Sequence, residues 1–130
     1  MNQKDKELLF KDLSTRLPYH IKVKVWLKDG TTGEGVLDLE HNYADVLRDA
    51  FYYNKIVDIK PYLRPMSSMT EEEVAEFVNL QEKFLKYCKN QYACVLTIAA
   101  QDWLLAHHFD FRSLIEKGFA LEAPEGMYNS

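Results

Sequence analysis

The sequence is poor in the features that usually announce a chemistry. Its only cysteines, Cys88 and Cys94, stand six apart and match neither a redox CxxC pair nor a four-ligand zinc set, so they read as reduced, partly buried thiols. Glycine is scarce, and Gly30, Gly33 and Gly35 fall in a hairpin pattern rather than ahead of a helix. No phosphate-cradling loop is present, which argues against nucleotide hydrolysis. No apolar run approaches the roughly 18 residues that suggest a membrane span; stretches such as 94–96 and 98–100 are interrupted by Thr97 and Gln101. Residues 1–7 mix charges of both signs and precede only three apolar residues, too few for a signal-peptide core, so a cytoplasmic location is expected. Positive charge is also short. The chain carries 16 Lys/Arg against 20 Asp/Glu, which disfavours a protein whose main task is to grip duplex DNA.

What is present suits one folded domain. The 130 residues are 47% apolar and 13% aromatic, enough to close one core. The charge is uneven: residues 1–66 hold 11 Lys/Arg against 10 Asp/Glu, and residues 67–130 hold 5 against 10. The fold class expected is α+β, a small bent antiparallel sheet or SH3-like barrel over about residues 20–60 followed by a helical C-terminal half and a polar tail over 120–130, mobile from Ala123.

The periodicity supports that division. Residues 4–13 carry a partial helical stripe of Leu8, Leu9 and Leu13, which Pro18 brings to an end. Between His20 and Leu27 the pattern alternates strictly: Ile21, Val23, Val25 and Leu27 share one face, and His20, Lys22, Lys24 and Trp26 the other. Asp29-Gly30 then supplies a hairpin turn, and a returning strand over 33–40 places Gly35, Leu37 and Leu39 on one face, opposite Val36, Asp38 and Glu40. Val46 and Leu47 suit a short strand or a helical turn equally, and residues 51–59, with Tyr52 and Tyr53, supply one or two further strands.

Pro61 and Pro65 are expected to end regular pairing, and Thr70 with Glu73 forms a capping box, Met69 and Val74 a hydrophobic staple, at the start of a helix over 71–89. Its broad apolar stripe includes Val74, Phe77, Val78 and Leu80 and is expected to be buried. A second helix falls within 92–106, and Asp110 caps a short helical turn that Gly118 ends.

Three blocks, residues 12–19 (DLSTRLPY), 59–73 (IKPYLRPMSSMTEEE) and 102–115 (DWLLAHHFDFRSLI), resemble a family of small proteins of gut Bacteroides-type bacteria and their phage-like or mobile elements. The resemblance implies a genetic context and carries no active site.

Two clusters remain as candidates. His107, His108, Asp110 and Arg112 could make a general base, its orienting acid and an anion-holding cation, but no nucleophile or second acid is spaced to complete a constellation. Adjacent histidines point about 100° apart on a helix and are poorly placed to clasp one metal. No cofactor, metal site or catalytic residue is therefore expected, and the chain reads as a non-enzymatic interaction or scaffold module. The second cluster is the outward strand face of Lys22, Lys24 and Trp26, with Lys28 at the turn and Tyr52 and Tyr53 as further aromatic surface. Cations beside an aromatic suit a protein partner, with single-stranded nucleic acid as the alternative.

Overall fold

The computed structural model describes residues 2–38, 56–88 and 92–128, without side-chain detail over 84–98. Three helices and a mixed five-stranded sheet make up the described chain: α1 (Gln3–Arg16), β1 (Ile21–Leu27), β2 (Thr32–Leu37), β3 (Ile56–Pro65), α2 (Glu71–Cys88), α3 (Tyr92–Ala106), β4 (Phe109–Asp110) and β5 (Leu121–Glu122). The α+β class is as expected. The closed barrel is not: among the described strands β2 has β1 as its sole neighbour, and the sheet stays open. Nor do the helices all follow the sheet, because α1 precedes it and supplies much of its core.

Alternation in β1 produces that core. Ile21 and Val23 are buried on the inner face, where Leu9 and Leu13 of α1, Leu37, Ile59, Leu63 and Leu114 join them in one cluster. The Asn2 side chain accepts the Asp5 amide at 2.9 Å and caps α1, while Pro18 sits in a single 3-10 turn that carries the chain into β1. The hairpin forms as the sequence predicts, with Gly30 at φ +88° and the Asp29 carboxylate accepting both the amide and the hydroxyl of Thr31. Leu27 departs from the alternation and is 36% exposed, because the β1–β3 register shifts between Trp26 and Leu27. Asp38, expected to face outward, is buried and lies 3.1 Å from His20 Nδ1.

Pro61 does not end β3. The strand runs on to Pro65, and Pro61 is one of its most buried residues. The register explains why: Lys22 and Tyr62 turn their backbone groups toward each other, so the nitrogen of the intervening Pro61 points away from β1 and no ladder bond is lost. Beyond Pro61 the strand gains parallel partners from the C-terminal part of the chain, Leu121↔Tyr62 in β5 and Phe109↔Arg64 in β4. Parallel pairing needs a long crossover, which the helices α2 and α3 supply. The β-rich and helical halves are thus interleaved.

Residues 120–128 are accordingly no free tail. Ala120 is buried, Leu121 and Glu122 pair with β3, and the Ala123 amide donates to the Leu63 carbonyl at 2.8 Å. The turn before this segment closes as a Schellman motif. Phe119 N–H donates to Leu114 and Gly118 N–H to Ile115, with Gly118 at φ +83°.

Candidate functional site

The outward face of the sheet is built by register. Lys24 stands opposite Glu34 on β2 and Lys60 on β3, and Trp26 stands opposite Thr32 and Asp58, so these residues share one surface. Lys24 Nζ and Lys60 Nζ lie 5.4 and 5.6 Å from the centre of the Trp26 ring. A cation at that distance is attracted by the negative face of the indole, by about 0.5–1 kcal/mol at an exposed site. Lys60 was not among the predicted surface residues. Its cross-strand position was invisible without the β1–β3 register.

Glu34 accepts a 2.7 Å hydrogen bond from the Tyr62 hydroxyl, which raises the Tyr62 pKa above its ordinary value, the bond to the carboxylate being the larger cause and burial the next. Val36, opposite Lys22, is 46% exposed and adds apolar area to the same face. Of the predicted surface, Lys24 and Trp26 meet as expected, and Lys28 lies exposed in the hairpin turn. Tyr52 and Tyr53 lie outside the described residues, as do the cysteine side chains.

Lys22 is engaged within the chain. Its ammonium donates to the Met127 carbonyl at 2.7 Å and sits 5.6 Å from the Tyr128 ring centre, while its amide donates to the Tyr128 hydroxyl at 3.0 Å. That hydroxyl donates in turn to the Tyr62 carbonyl at 2.7 Å. Tyr128 therefore fills the gap where β1 and β3 diverge, replacing one rung of the ladder with its hydroxyl. Burial pushes its pKa up to about 12. His108 stacks on the same ring, 3.8 Å between centres, in the left-handed region at φ 64°. Burial first, and then the nearby Arg16 charge, hold the His108 pKa down to about 4, so the ring is neutral at pH 7.

The other predicted residues of that segment go separate ways. Asp110 accepts the Leu114 and Ile115 amides at 2.8 and 2.9 Å, one on each carboxylate oxygen, as a cap does. His107 packs on Trp103 at 4.1 Å and lies 3.8 Å from Glu73, and Arg112 binds Asp12 at 2.6 Å. Asp12 also holds Arg16 at 2.7 Å, with both side chains fully buried, and Arg16 donates to the Phe109 carbonyl at 2.9 Å. This network ties α1 to β4. Its Arg16 Nη1 has no hydrogen-bond partner.

At the start of α2 the capping box is formed. Glu73 N–H donates to Thr70 Oγ1 and Thr70 N–H to Glu73 Oε1. Arg64 adds two bonds to the same carboxylate, at 2.7 and 2.6 Å, and these are the main reason the Glu73 pKa falls to about 2. The Arg64 guanidinium also lies 4.2 Å from the Phe109 ring centre. Beside it, Pro65, Ser68 and Thr70 on one side and the segment ending in Tyr128 on the other line an open groove of about 550 Å³.

Among the described residues no group of three or more His, Cys, Asp or Glu side chains is placed to hold a metal, and no described helix is long and apolar enough to cross a membrane. Comparison with family models, with curated proteins and with solved structures returns no match to this chain.

Proposed function

We propose that the protein is a non-enzymatic interaction module that binds a protein partner through the outward sheet face centred on Trp26. The observation that carries the reading is that Lys24 and Lys60, paired across β1 and β3, both reach the ring of half-buried Trp26 on the outward sheet face. A flat aromatic held by two cations is a low-entropy anchor, of the type that contributes most in protein interfaces. Glu34 and Asp58 on the same face favour a protein over a polyphosphate, because each carboxylate would oppose a phosphate chain. The resemblance of the DLSTRLPY, KPYLRP and HHFDF blocks supports a mobile-element or phage-like setting.

The test is copurification from the native host with the wild-type chain and with a Lys24→Ala/Trp26→Ala variant. Proteins that bind this face are retained by the first and lost by the second. If both retain the same proteins, the surface assignment fails. Salt-sensitive binding of mixed single-stranded oligonucleotides that the same variant abolishes would replace the protein partner with a nucleic acid.

A further inference from the structure

Residues 123–128 form a strap fastened at two points. At one end the Ala123 amide donates to the Leu63 carbonyl at 2.8 Å; at the other the Tyr128 hydroxyl spans the Lys22 amide and the Tyr62 carbonyl. Between these points Pro124, Glu125 and Gly126 are exposed, Gly126 takes φ +83°, and the strap forms one wall of the groove of about 550 Å³. The middle of the strap adds little to the core and has open space beside it.

The second fastening leans on His108. Its ring lies flat on the Tyr128 ring, 3.8 Å between centres and 14° between planes, and its Nδ1 is buried without a hydrogen-bond partner. The neutral ring is assigned the Nε2–H tautomer, because an Nδ1–H would be a buried donor lacking an acceptor. A second proton has to go to Nδ1 and creates that orphaned donor, now charged. Arg16 of α1, Lys22 of β1, Arg64 of β3 and the adjacent His107 are the charged or titratable groups around the ring, with Tyr128 on its face. The carboxylates of Asp12 and Glu73 are bound by Arg16 and Arg64, and neither bonds to His108. An imidazolium is attracted by the phenol face, but this is the smaller effect when the charge is also taken out of water and set among cations.

The two sides of the stack are unequally held. The His108 carbonyl accepts the Arg64 amide at 2.8 Å, which anchors its backbone beside β3, whereas Tyr128 hangs from the strap. We infer that the strap is an acid-released latch: protonation of the His108 ring expels Tyr128 from the gap between β1 and β3 while the fastening at Ala123 holds, and returns the Lys22 ammonium to the outward face beside Lys24.

Amide hydrogen exchange of the full chain, followed by NMR from pH 7 to pH 4, tests this. The Lys22 amide, whose partner is the Tyr128 hydroxyl, reports the latch, and amides in the middle of β1 report the sheet. His108 titrates at about 4 with the strap in place, against the ordinary 6.5, so opening becomes more favourable by up to about a hundredfold over this range. The protection factor of the Lys22 amide falls accordingly while those in the middle of β1 hold, and the His108 ring signals titrate over the same range. In His108→Asn, whose side chain does not titrate and suits the left-handed backbone, Lys22 protection does not vary with pH. Tyr128→Phe removes that protection at every pH. Lys22 and mid-strand amides that lose protection together overturn the inference, as does an acid loss that persists in His108→Asn or a Lys22 protection that survives Tyr128→Phe. So does a His108 ring that titrates while Lys22 stays protected, a result the wild-type chain supplies even where a variant does not fold.

Discussion

α1 and α2 are both capped, amphipathic helices, yet they end in opposite surroundings. α1 has the weaker sequence pattern, and it buries Leu9, Leu13, Asp12 and Arg16 completely or nearly so against the sheet and β4. α2 has the better-specified start, with a capping box and an Arg64 clamp on Glu73, and it leaves Val74 and Val78 in solvent. Local start signals determine that a helix forms and where it begins. They carry no information about which of its faces finds a partner, because burial depends on the shape of what lies opposite.

This contrast can be broken most severely at α1. Asp12→Ala removes the one carboxylate shared by Arg16 and Arg112 and leaves a buried guanidinium uncompensated, so a loss of about 3–5 kcal/mol is expected in denaturant unfolding. Leu13→Ala opens a cavity in the core, with an expected cost of about 2–5 kcal/mol. Equal costs for Leu13→Ala and a truncation on the α2 ridge would erase the distinction between the two helices.

The C-terminal segment sharpens the comparison from the side of the sheet. Tyr128→Phe leaves the Lys22 amide and the Tyr62 carbonyl without their shared hydroxyl, and a loss of about 1–3 kcal/mol is expected by the same measurement. His108 makes the same region sensitive to acid. Its folded pKa, about 4, lies below the ordinary 6.5, so between those values the unfolded chain binds the proton more readily. Stability contributed by the neutral ring is complete above pH 6.5 and declines as the pH falls to about 4. In His108→Phe, which keeps an aromatic against Tyr128, that part of the pH dependence should vanish from a stability profile. The smallest effect belongs to the α2 ridge: Val78→Ala should change stability by no more than about 0.5 kcal/mol in a thermal or denaturant scan.

Much of the secondary structure was legible because it is set by neighbours in sequence. β1, its hairpin, the α2 start, the Asp110 cap and the Gly118 terminus all follow from alternation, turn chemistry and capping within a few residues. The role of Pro61 was misread because a proline interrupts a strand only where its missing N–H faces a neighbour, and that direction is fixed by register with β1. The tail was misread for a similar reason. Its polar composition suggests mobility, while the two-residue pairing of β5 and the Tyr128 hydroxyl are too short or too distant in sequence to leave a periodic signal. Of the candidate surface, Lys24 and Trp26 were readable from the alternation of one strand, and Lys60 became part of it through cross-strand pairing.

The sequence by itself determined β1 with its hairpin and inner face and the start of α2, since each rests on residue types and spacings along a few neighbouring residues. Only the tertiary structure decided that α1 rather than α2 would cover the core, that β4 and β5 would return to extend β3, and that Lys22 would be held by Met127 and Tyr128 while Lys24 and Lys60 both reach the Trp26 ring. Those outcomes depend on contacts between residues far apart in the chain, where burial and geometric fit rather than local propensity set the energy.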